Sequence, residues 1–217
     1  MNVSVPTIYR AIRCGILPRS LTKQCLRYHG KDYKRIGEEK RGKLSGCTSI
    51  DLRPPEASNR RRTGDIEGDT IVGRQGTGII VTLVDRKTRY LAAAKLEHKG
   101  ADGVAKAVTG LLSNIPCQSV TFDNGKEFAC HRQMSEELGV PIYFAHPHSP
   151  WERGTNENTN KLLRQFLPKG SSFANVTDSM LSKFVNMLNN RPRKCLGYAT
   201  PAEMMFSKQN VAFGLTI

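Results

Sequence analysis

The chain has 217 residues and a mass of 24.1 kDa, enough for one large domain or one domain with appendages. Hydrophobic residues make up 38% of it, which excludes a wholly disordered chain. No apolar run approaches the roughly 20 residues that a membrane span needs, and no signal-peptide pattern opens the sequence. These features predict a soluble protein with no membrane partner.

The charge is strongly basic and unevenly distributed. Lys and Arg number 33 against 19 Asp and Glu, which gives a formal net charge of +14. Residues 1–63 alone carry 15 basic and five acidic side chains. Such an excess indicates a polyanionic partner, most commonly nucleic acid, and a merely solvated basic surface is the alternative.

The six cysteines are scattered, and no CxxC pair occurs among them. This pattern argues against a structural zinc site and against a compact disulfide framework. It predicts reduced thiols and therefore a cytoplasmic protein.

The first 63 residues predict a short helix followed by a basic segment. The run SVPTIYRAIRCGILP has a one-sided apolar stripe, with Ser4 placed to cap the helix and Gly15 to end it. Because so short a helix needs partners that would normally lie upstream, we expect a chain truncated at its N-terminus. The polar, basic composition of residues 20–63 predicts a linker or an arm that lies on a phosphate backbone. A plain flexible tether is the alternative. This arm includes three consecutive basic residues, Arg60, Arg61 and Arg62.

From residue 64 the pattern changes to alternating strands and helices. Strands are predicted over 64–73, 78–90 (with a hairpin at 85–88), 91–98, 118–122 and 141–146. Helices are predicted over 101–114, 127–138, 155–167 and 178–190. Three meandering strands followed by alternating helices and strands predict an α/β fold, with a mixed five-stranded sheet flanked by helices, over residues 64–217.

Three carboxylates occupy positions at which this fold can bring them together. Asp69 lies on the first strand, Asp123 at the end of the fourth, and Glu157 in the first turns of the helix after the fifth. Carboxylates that converge need a cation, and Mg²⁺ or Mn²⁺ prefers such hard oxygen ligands. Two such ions can activate a water or a 3′-hydroxyl in phosphoryl transfer. Spacing alone is weak evidence, because the chain has 19 acidic residues.

Four segments in order carry a specific resemblance: GDIEGDTIVG, TFDNGKEF, PHSPWERGTNENTNKLLRQFLPKG and NNRPRKCLGYATPAEMM. Together they resemble the IS-thirty family of insertion-sequence transposases over about residues 64–205. The resemblance implies a ribonuclease-H-like, integrase-type DDE catalytic core. More loosely, residues 1–19 are similar to the last helix of the family's helix-turn-helix region, which implies the remnant of a DNA-binding domain.

The resemblance also implies the roles of the acids. Asp69 matches the first catalytic and metal-binding acid, Asp123 the second and Glu157 the third, with Mg²⁺ or Mn²⁺ as the cofactor. Asp65 and Glu67 lie on the same strand face as Asp69 and are rival candidates for the first acid. A rival for the second acid is Glu127, which is interpreted as a carboxylate at a helix N-terminus.

Several further residues are predicted to contact DNA. Lys161 and Arg164 share a helical face with Glu157, and Arg164 suits a phosphate contact. For Lys161 the alternative is a helix-stabilising pair with Glu157. Trp151 lies in the loop that also holds His146 and His148, and either stacks on a base or ribose or packs internally. Asn156 and Asn160 flank the same face and are weaker candidates for contacts to bases or phosphates.

The expected function is DNA transposition. The chain would hydrolyse a phosphodiester at an element end and use the 3′-hydroxyl to attack a second DNA site. Its expected partners are double-stranded DNA, as terminal inverted repeats and target, and further protomers on the DNA. We expect it to associate with the bacterial nucleoid. Two alternatives remain: a DNA-binding transposase remnant without activity, and a ribonuclease-H-type nuclease acting on RNA–DNA hybrids.

Overall fold

The computed structural model describes residues 3–18, 44–147 and 149–207. The chain forms two compact units, residues 1–42 and residues 43–217. The described part of the first unit contains α1 (Val5–Arg13), with Pro6 in its first turn. Ser4 holds the N-cap position but makes no capping hydrogen bond to a backbone N–H, because its Oγ lies 2.8 Å from Thr7 Oγ1 instead. Gly15, at a φ of 70°, follows the helix, as the sequence predicts. Residues 20–43, the first part of the predicted basic arm, lie outside the described residues.

The second unit is built on a mixed six-stranded sheet in the order β1-β6-β5-β2-β3-β4. The strands are β1 (Thr48–Ser49), β2 (Asp65–Val72), β3 (Ile79–Asp85), β4 (Leu91–Leu96), β5 (Ser119–Phe122) and β6 (Ile142–Phe144). β2, β3 and β4 pair antiparallel, whereas β5 runs parallel to β2, and β6 and β1 continue the parallel half. The prediction of five strands was one short, because a two-residue strand leaves no period in the sequence.

Helices cover both faces of this sheet. They are α2 (Pro55–Ser58), α3 (Ala101–Leu112), α4 (His131–Leu138), α5 (Gly154–Leu163), α6 (Asp178–Asn189) and α7 (Pro201–Phe206). One core holds Val108 of α3 and Met134 of α4 against Phe122, and the other holds Leu163 of α5 and Leu181 of α6. Every residue of β3 is buried, because helices pack on both of its faces.

Residues 44–63, within the predicted arm, pack against the sheet. Ile50 and Ala57 are buried, and Arg53 Nη1 donates to Thr121 Oγ1 of β5 at 3.2 Å. Their packing adds β1 to the edge of the sheet and places α2 beside the strands. The proposed contact of this segment with a phosphate backbone stays a prediction.

Gly68, in the middle of β2, leaves room for the Phe122 ring of the neighbouring strand β5. A Cβ atom at this position would overlap the Phe122 ring. Because Gly68 has no side chain, the Phe122 ring can lie against β2 at this position. Gly68 directly precedes Asp69, and Phe122 directly precedes Asp123.

Among the described residues, no helix is long and apolar enough to cross a membrane.

Candidate active site

The first two predicted acids lie side by side at the centre of the sheet. Glu67 pairs with Thr121 in the parallel register of β2 and β5, and Asp69 and Asp123 each follow two residues later. Asp69 Oδ1 accepts the Thr70 backbone N–H at 2.8 Å. The corresponding oxygen of Asp123 accepts the Gly125 N–H at 3.1 Å. Parallel pairing thus places both carboxylates at the same level of neighbouring strands, as the sequence predicts.

A single guanidinium group, that of Arg153, connects the two carboxylates. Its Nη2 donates to Asp123 Oδ2 at 3.1 Å, and its Nη1 lies 3.5 Å from Asp69 Oδ1. Nη1 also donates to the Gly68 carbonyl at 3.2 Å. The Arg153 side chain is 15% exposed, whereas those of Asp69 and Asp123 are 27% and 39% exposed, so these charge-assisted contacts are only partly shielded from water. Sequence reasoning did not single out Arg153, although it lies four residues before Glu157.

The two carboxylates affect each other's electrostatics, and the Arg153 guanidinium offsets part of their repulsion. Burial raises the pKa of the Asp69 carboxyl, the Arg153 charge opposes that shift, and the Asp123 charge raises the pKa further. Two carboxylates in a half-buried position repel unless a positive charge is shared between them.

Glu157 lies on α5 between two residues that contact the pair. Arg153 precedes it by four residues, and Asn160, three residues later, donates from Nδ2 to Asp69 Oδ2 at 2.9 Å. Positions three and four apart share a helix face, so Glu157 lies one turn from both contacts. Its carboxylate pairs with Lys161 Nζ at 2.9 Å, which is the helix-stabilising alternative for Lys161. Within the ranges that the structure describes, no group of three His, Cys, Asp or Glu side chains is close enough to hold a metal ion.

Glu67, a rival for the first acid, anchors α5 to the sheet. Its side chain is fully buried and forms an ion pair with Arg86. The other oxygen, Oε2, accepts the Asn156 backbone N–H at 2.8 Å, and Asn156 Nδ2 donates to the Glu67 carbonyl at 2.9 Å. Asn156 is fully buried, so its contacts are with the sheet.

The other rival acids also have protein partners. Asp65 accepts two hydrogen bonds from Arg62, at 2.8 and 2.9 Å, and one from Ser119 at 2.6 Å. Glu127 accepts a hydrogen bond from Thr70 Oγ1 at 3.0 Å and pairs with Lys99 Nζ at 2.8 Å. The side chains of all three rivals are at most 8% exposed. Those of Asp69 and Asp123 are 27% and 39% exposed, so these two acids are the more accessible to a cation.

The predicted DNA-contacting side chains differ in exposure. Trp151 is 72% exposed and therefore does not pack in the core. Arg164 Nη2 donates to the Val72 carbonyl at 3.0 Å, and its guanidinium lies 5.8 Å from the centre of the Phe173 ring. It closes α5 onto the end of β2. Arg62 pairs with Asp65, whereas the two preceding arginines, Arg60 and Arg61, are exposed.

His146 fastens the loop before α5 to the segment after β1. Its Nδ1 lies 2.8 Å from Glu152 Oε1, and its Nε2 lies 3.1 Å from Asp51 Oδ2. The hydrogen bond with Glu152, followed by the charge of Asp51, raises the pKa of the imidazole above its usual value. His148, the second histidine of this loop, lies outside the described residues.

This arrangement predicts a pH-dependent contribution to stability. A histidine whose pKa is raised in the folded state stabilises the protein most below its unfolded pKa of about 6.5, and the contribution is lost as pH rises through the folded pKa. We expect the melting temperature of the wild type to exceed that of His146→Gln at pH below about 6 and to converge with it at pH above about 8. His98→Gln, at an exposed site, serves as the control. A difference in melting temperature that is constant with pH, or that grows as pH rises, would contradict a stabilising contact of protonated His146 with Glu152 and Asp51.

Solved structures with the same fold place this sheet in a known class. The catalytic core domain of BIV integrase superposes with a TM-score of 0.55 and 20% sequence identity. The match covers 70% of this chain and 99% of the BIV chain. A chain of the simian T-cell lymphotropic virus intasome, solved in complex with the PP2A regulatory subunit B56 gamma, matches with a TM-score of 0.54 and 17% identity, covering 65% of this chain and 54% of its own. The fold is therefore that of an integrase-type, ribonuclease-H-like catalytic core, which confirms the predicted fold class.

Curated relatives cover nearly the whole chain. The transposase for insertion sequence element IS4351 of Bacteroides fragilis is 42% identical over 97% of this chain and 67% of its own length. The transposase for IS1086 of Cupriavidus metallidurans is 39% identical, and the InsI transposase for IS30A of Escherichia coli is 38% identical. This chain covers 62% and 56% of their lengths. No protein-family profile matches the chain.

The chain belongs to the IS30 family of insertion-sequence transposases. This confirms the family that the four sequence motifs indicated, and with it the enzyme class of DDE polynucleotidyl transferases. It does not favour a DNA-binding remnant without activity.

Proposed function

We propose that residues 43–217 form the catalytic domain of a DNA transposase, and that Asp69, Asp123 and Glu157 are its three catalytic and metal-binding acids. The observation that carries the proposal is the shared contact of Asp69 and Asp123 with one guanidinium group. Glu157 follows one helical turn after that guanidinium, on the helix that also contacts Asp69 through Asn160. Membership of the transposase family supports the choice of these acids over their rivals.

The chemistry of the donor set fits a divalent cation. Two carboxylates that already share a positive charge offer the hard oxygen ligands that Mg²⁺ and Mn²⁺ prefer. Bound there, such an ion would supply the Lewis acidity that activates a water or a 3′-hydroxyl and stabilises the leaving oxygen. The residues that would hold it are Asp69 and Asp123, joined by Glu157 when its side chain leaves Lys161.

The remaining residues of the site position these acids. Glu67 fixes the first turn of α5 through the Asn156 N–H, and Asn160 fixes the orientation of the Asp69 carboxylate. Because both contacts join β2 to α5, they hold the helix that carries Glu157 at a constant distance from the strand that carries Asp69. Such preorganisation keeps reacting groups aligned for in-line displacement at phosphorus.

The proposed substrates are the ends of an insertion element and a target duplex. A 3′-hydroxyl generated by cleavage would attack a second phosphodiester at the same acids, since both steps are displacements at phosphorus. Exposed Trp151, in the turn directly before α5, is placed to stack on a base, and exposed Arg60 and Arg61 can contact backbone phosphates. Phosphate contacts by Lys161, Arg62 and Arg164 would require these side chains to exchange their present partners. We propose that two or more protomers act together on paired ends in the bacterial cytoplasm.

Strand transfer tests this function directly. The chain is incubated with supercoiled plasmid and a labelled duplex that carries 3′-hydroxyl ends, with Mn²⁺, with Mg²⁺ or with EDTA. We expect nicked plasmid and labelled joined products only with a divalent ion. Metal-dependent cleavage of an RNA–DNA hybrid, without any joined DNA product, would instead identify a ribonuclease-H-type nuclease.

Arg153 leads to a prediction about metal affinity. Its guanidinium competes with a divalent ion for the same carboxylate oxygens, and hydrogen bonds to charged groups contribute about 1.5–3 kcal/mol. We expect Arg153→Gln to bind Mn²⁺ about tenfold more tightly than the wild type in calorimetric titration. Arg74→Gln, at an exposed turn, should leave the affinity unchanged. Weaker binding by the Arg153 variant would show that this side chain supports the cation site and does not compete for it.

A further inference from the structure

A basic site lies beside α5, on the side of the helix away from the paired acids. It is a pocket of about 260 Å³. Thr155 and Thr159 of α5 line it, whereas the residues that follow each of them, Asn156 and Asn160, contact acids of β2. The remaining lining includes three arginines and a cysteine, Arg60, Arg89, Arg193 and Cys195.

The three arginines form no salt bridge with any carboxylate in the described part of the chain. Arg89 Nη1 donates to Thr155 Oγ1 at 2.8 Å, and Arg193 Nη2 donates to the Leu188 carbonyl at 3.1 Å. The Nε atom of Arg193 is buried and has no hydrogen-bond partner among the described residues. The pocket therefore gathers positive charge and N–H donors without an anionic acceptor.

The backbone gives a second, independent indication. Three non-glycine residues in the described ranges have positive φ, and two of them, Arg60 at 57° and Arg89 at 64°, line this pocket. The third, Tyr198 at 69°, lies in the tight turn that begins at Arg193. A left-handed conformation costs a non-glycine residue about 1–2 kcal/mol. Strained residues of this kind cluster at binding sites, where the local cost is offset by the contact that they make.

We propose that the pocket binds a phosphate of the DNA backbone. Arginine binds phosphate through paired N–H donors, and the start of α5 at Gly154 adds the positive end of the helix dipole. The pocket is smaller than the roughly 300–1,000 Å³ of sites for drug-sized ligands, and three guanidinium groups line it, so a phosphate group suits it better than an apolar ligand. The proposal rests on the proposed function. It adds an anchor that holds the duplex across α5 while another part of the strand lies at the acids.

Arg60→Asn tests the pocket without removing a structural contact. The Arg60 side chain is exposed, and asparagine tolerates positive φ better than arginine does. We expect a melting temperature equal to or above that of the wild type, together with about three- to tenfold weaker binding of a fluorescein-labelled duplex and a salt slope shallower by about one unit.

Lys106→Gln is the matched control, because it also removes one positive charge, from an exposed site on α3 across the sheet. Equal affinities and equal salt slopes for the two variants, with strand transfer intact in the wild type, would contradict phosphate binding in the pocket. The proposed transposase function would be unaffected. A wild-type chain that binds no duplex at low salt would overturn the proposed function and this site with it.

Cys195 gives a readout at the pocket itself. Its thiol is exposed and lines the site, so its rate of labelling by N-ethylmaleimide can be followed by peptide mass spectrometry. We expect the duplex to slow this labelling several-fold in the wild type and much less in Arg60→Asn. Equal protection by inorganic phosphate, at the same phosphate concentration, would overturn the assignment to the DNA backbone and indicate a site for small anions.

Discussion

Asp123→Asn is expected to lower metal-dependent DNA cleavage by more than about 100-fold, since even changes to residues that only support a metal ligand cost about 10- to 100-fold. The variant replaces one of the two carboxylates that share the Arg153 guanidinium, and an amide offers a single neutral oxygen in its place. Asp123 is 39% exposed and lies in a loop, so the fold should tolerate the isosteric change.

DNA binding separates loss of chemistry from loss of substrate. Removal of one negative charge beside the proposed DNA path should leave the affinity for a duplex unchanged or slightly higher. Asp178→Asn, at an exposed position in the first turn of α6, controls for the change of an acid elsewhere. Equal cleavage by Asp123→Asn and the wild type would remove Asp123 from the catalytic set.

Arg86→Met is expected to destabilise the catalytic domain by about 3–5 kcal/mol, which is typical when one partner of a buried ion pair is removed. The side chains of Arg86 and Glu67 are 6% and 0% exposed, so the variant leaves a carboxylate buried without its counter-charge. Arg86 Nε also donates to the Ala57 carbonyl at 2.9 Å, and Nη2 to the Ser58 carbonyl at 3.3 Å. The same substitution therefore loosens the docking of α2.

Urea unfolding of the wild type, Arg86→Met and Arg74→Met measures this effect. Arg74 is exposed, so its replacement should change the free energy of unfolding by less than about 0.5 kcal/mol. A loss of less than about 1 kcal/mol for Arg86→Met would show that water or another group compensates Glu67. In that case the anchoring of α5 through Glu67 would need another explanation.

The sequence predicted most of the fold because its elements carry strong periodic signals. The turn at Asp123-Asn124-Gly125 and the alternating pattern around Asp69 placed both acids at strand positions that parallel pairing then aligned. Glycines 15 and 139 mark helix ends in the structure, each at positive φ. Strand β1 escaped prediction, because two residues cannot show an alternation and their pairing depends on β6, more than 90 residues away.

Side-chain partners in the site were harder to predict, because they depend on contacts between distant segments. The sequence pattern around Arg153 predicts only a loop. Its contacts with Asp69 and Asp123 depend on how close β2 and β5 lie in the fold, which the sequence pattern does not show. Asn156 and Asn160 were considered for DNA contacts, yet both are buried against β2. A partial signal was present, since Asn160 lies four residues after Asn156 and three after Glu157, which places it near both on the helix surface.

Glu157 is proposed to complete a metal-dependent acid set with Asp69 and Asp123. The most direct measurement is nicking and joining of plasmid DNA in Mn²⁺ by the wild type, by Glu157→Gln and by Glu136→Gln, which alters an exposed glutamate of α4. We predict activity in the wild type and in Glu136→Gln, with loss in Glu157→Gln while duplex binding is retained. Equal activity of Glu157→Gln and the wild type would contradict the claim.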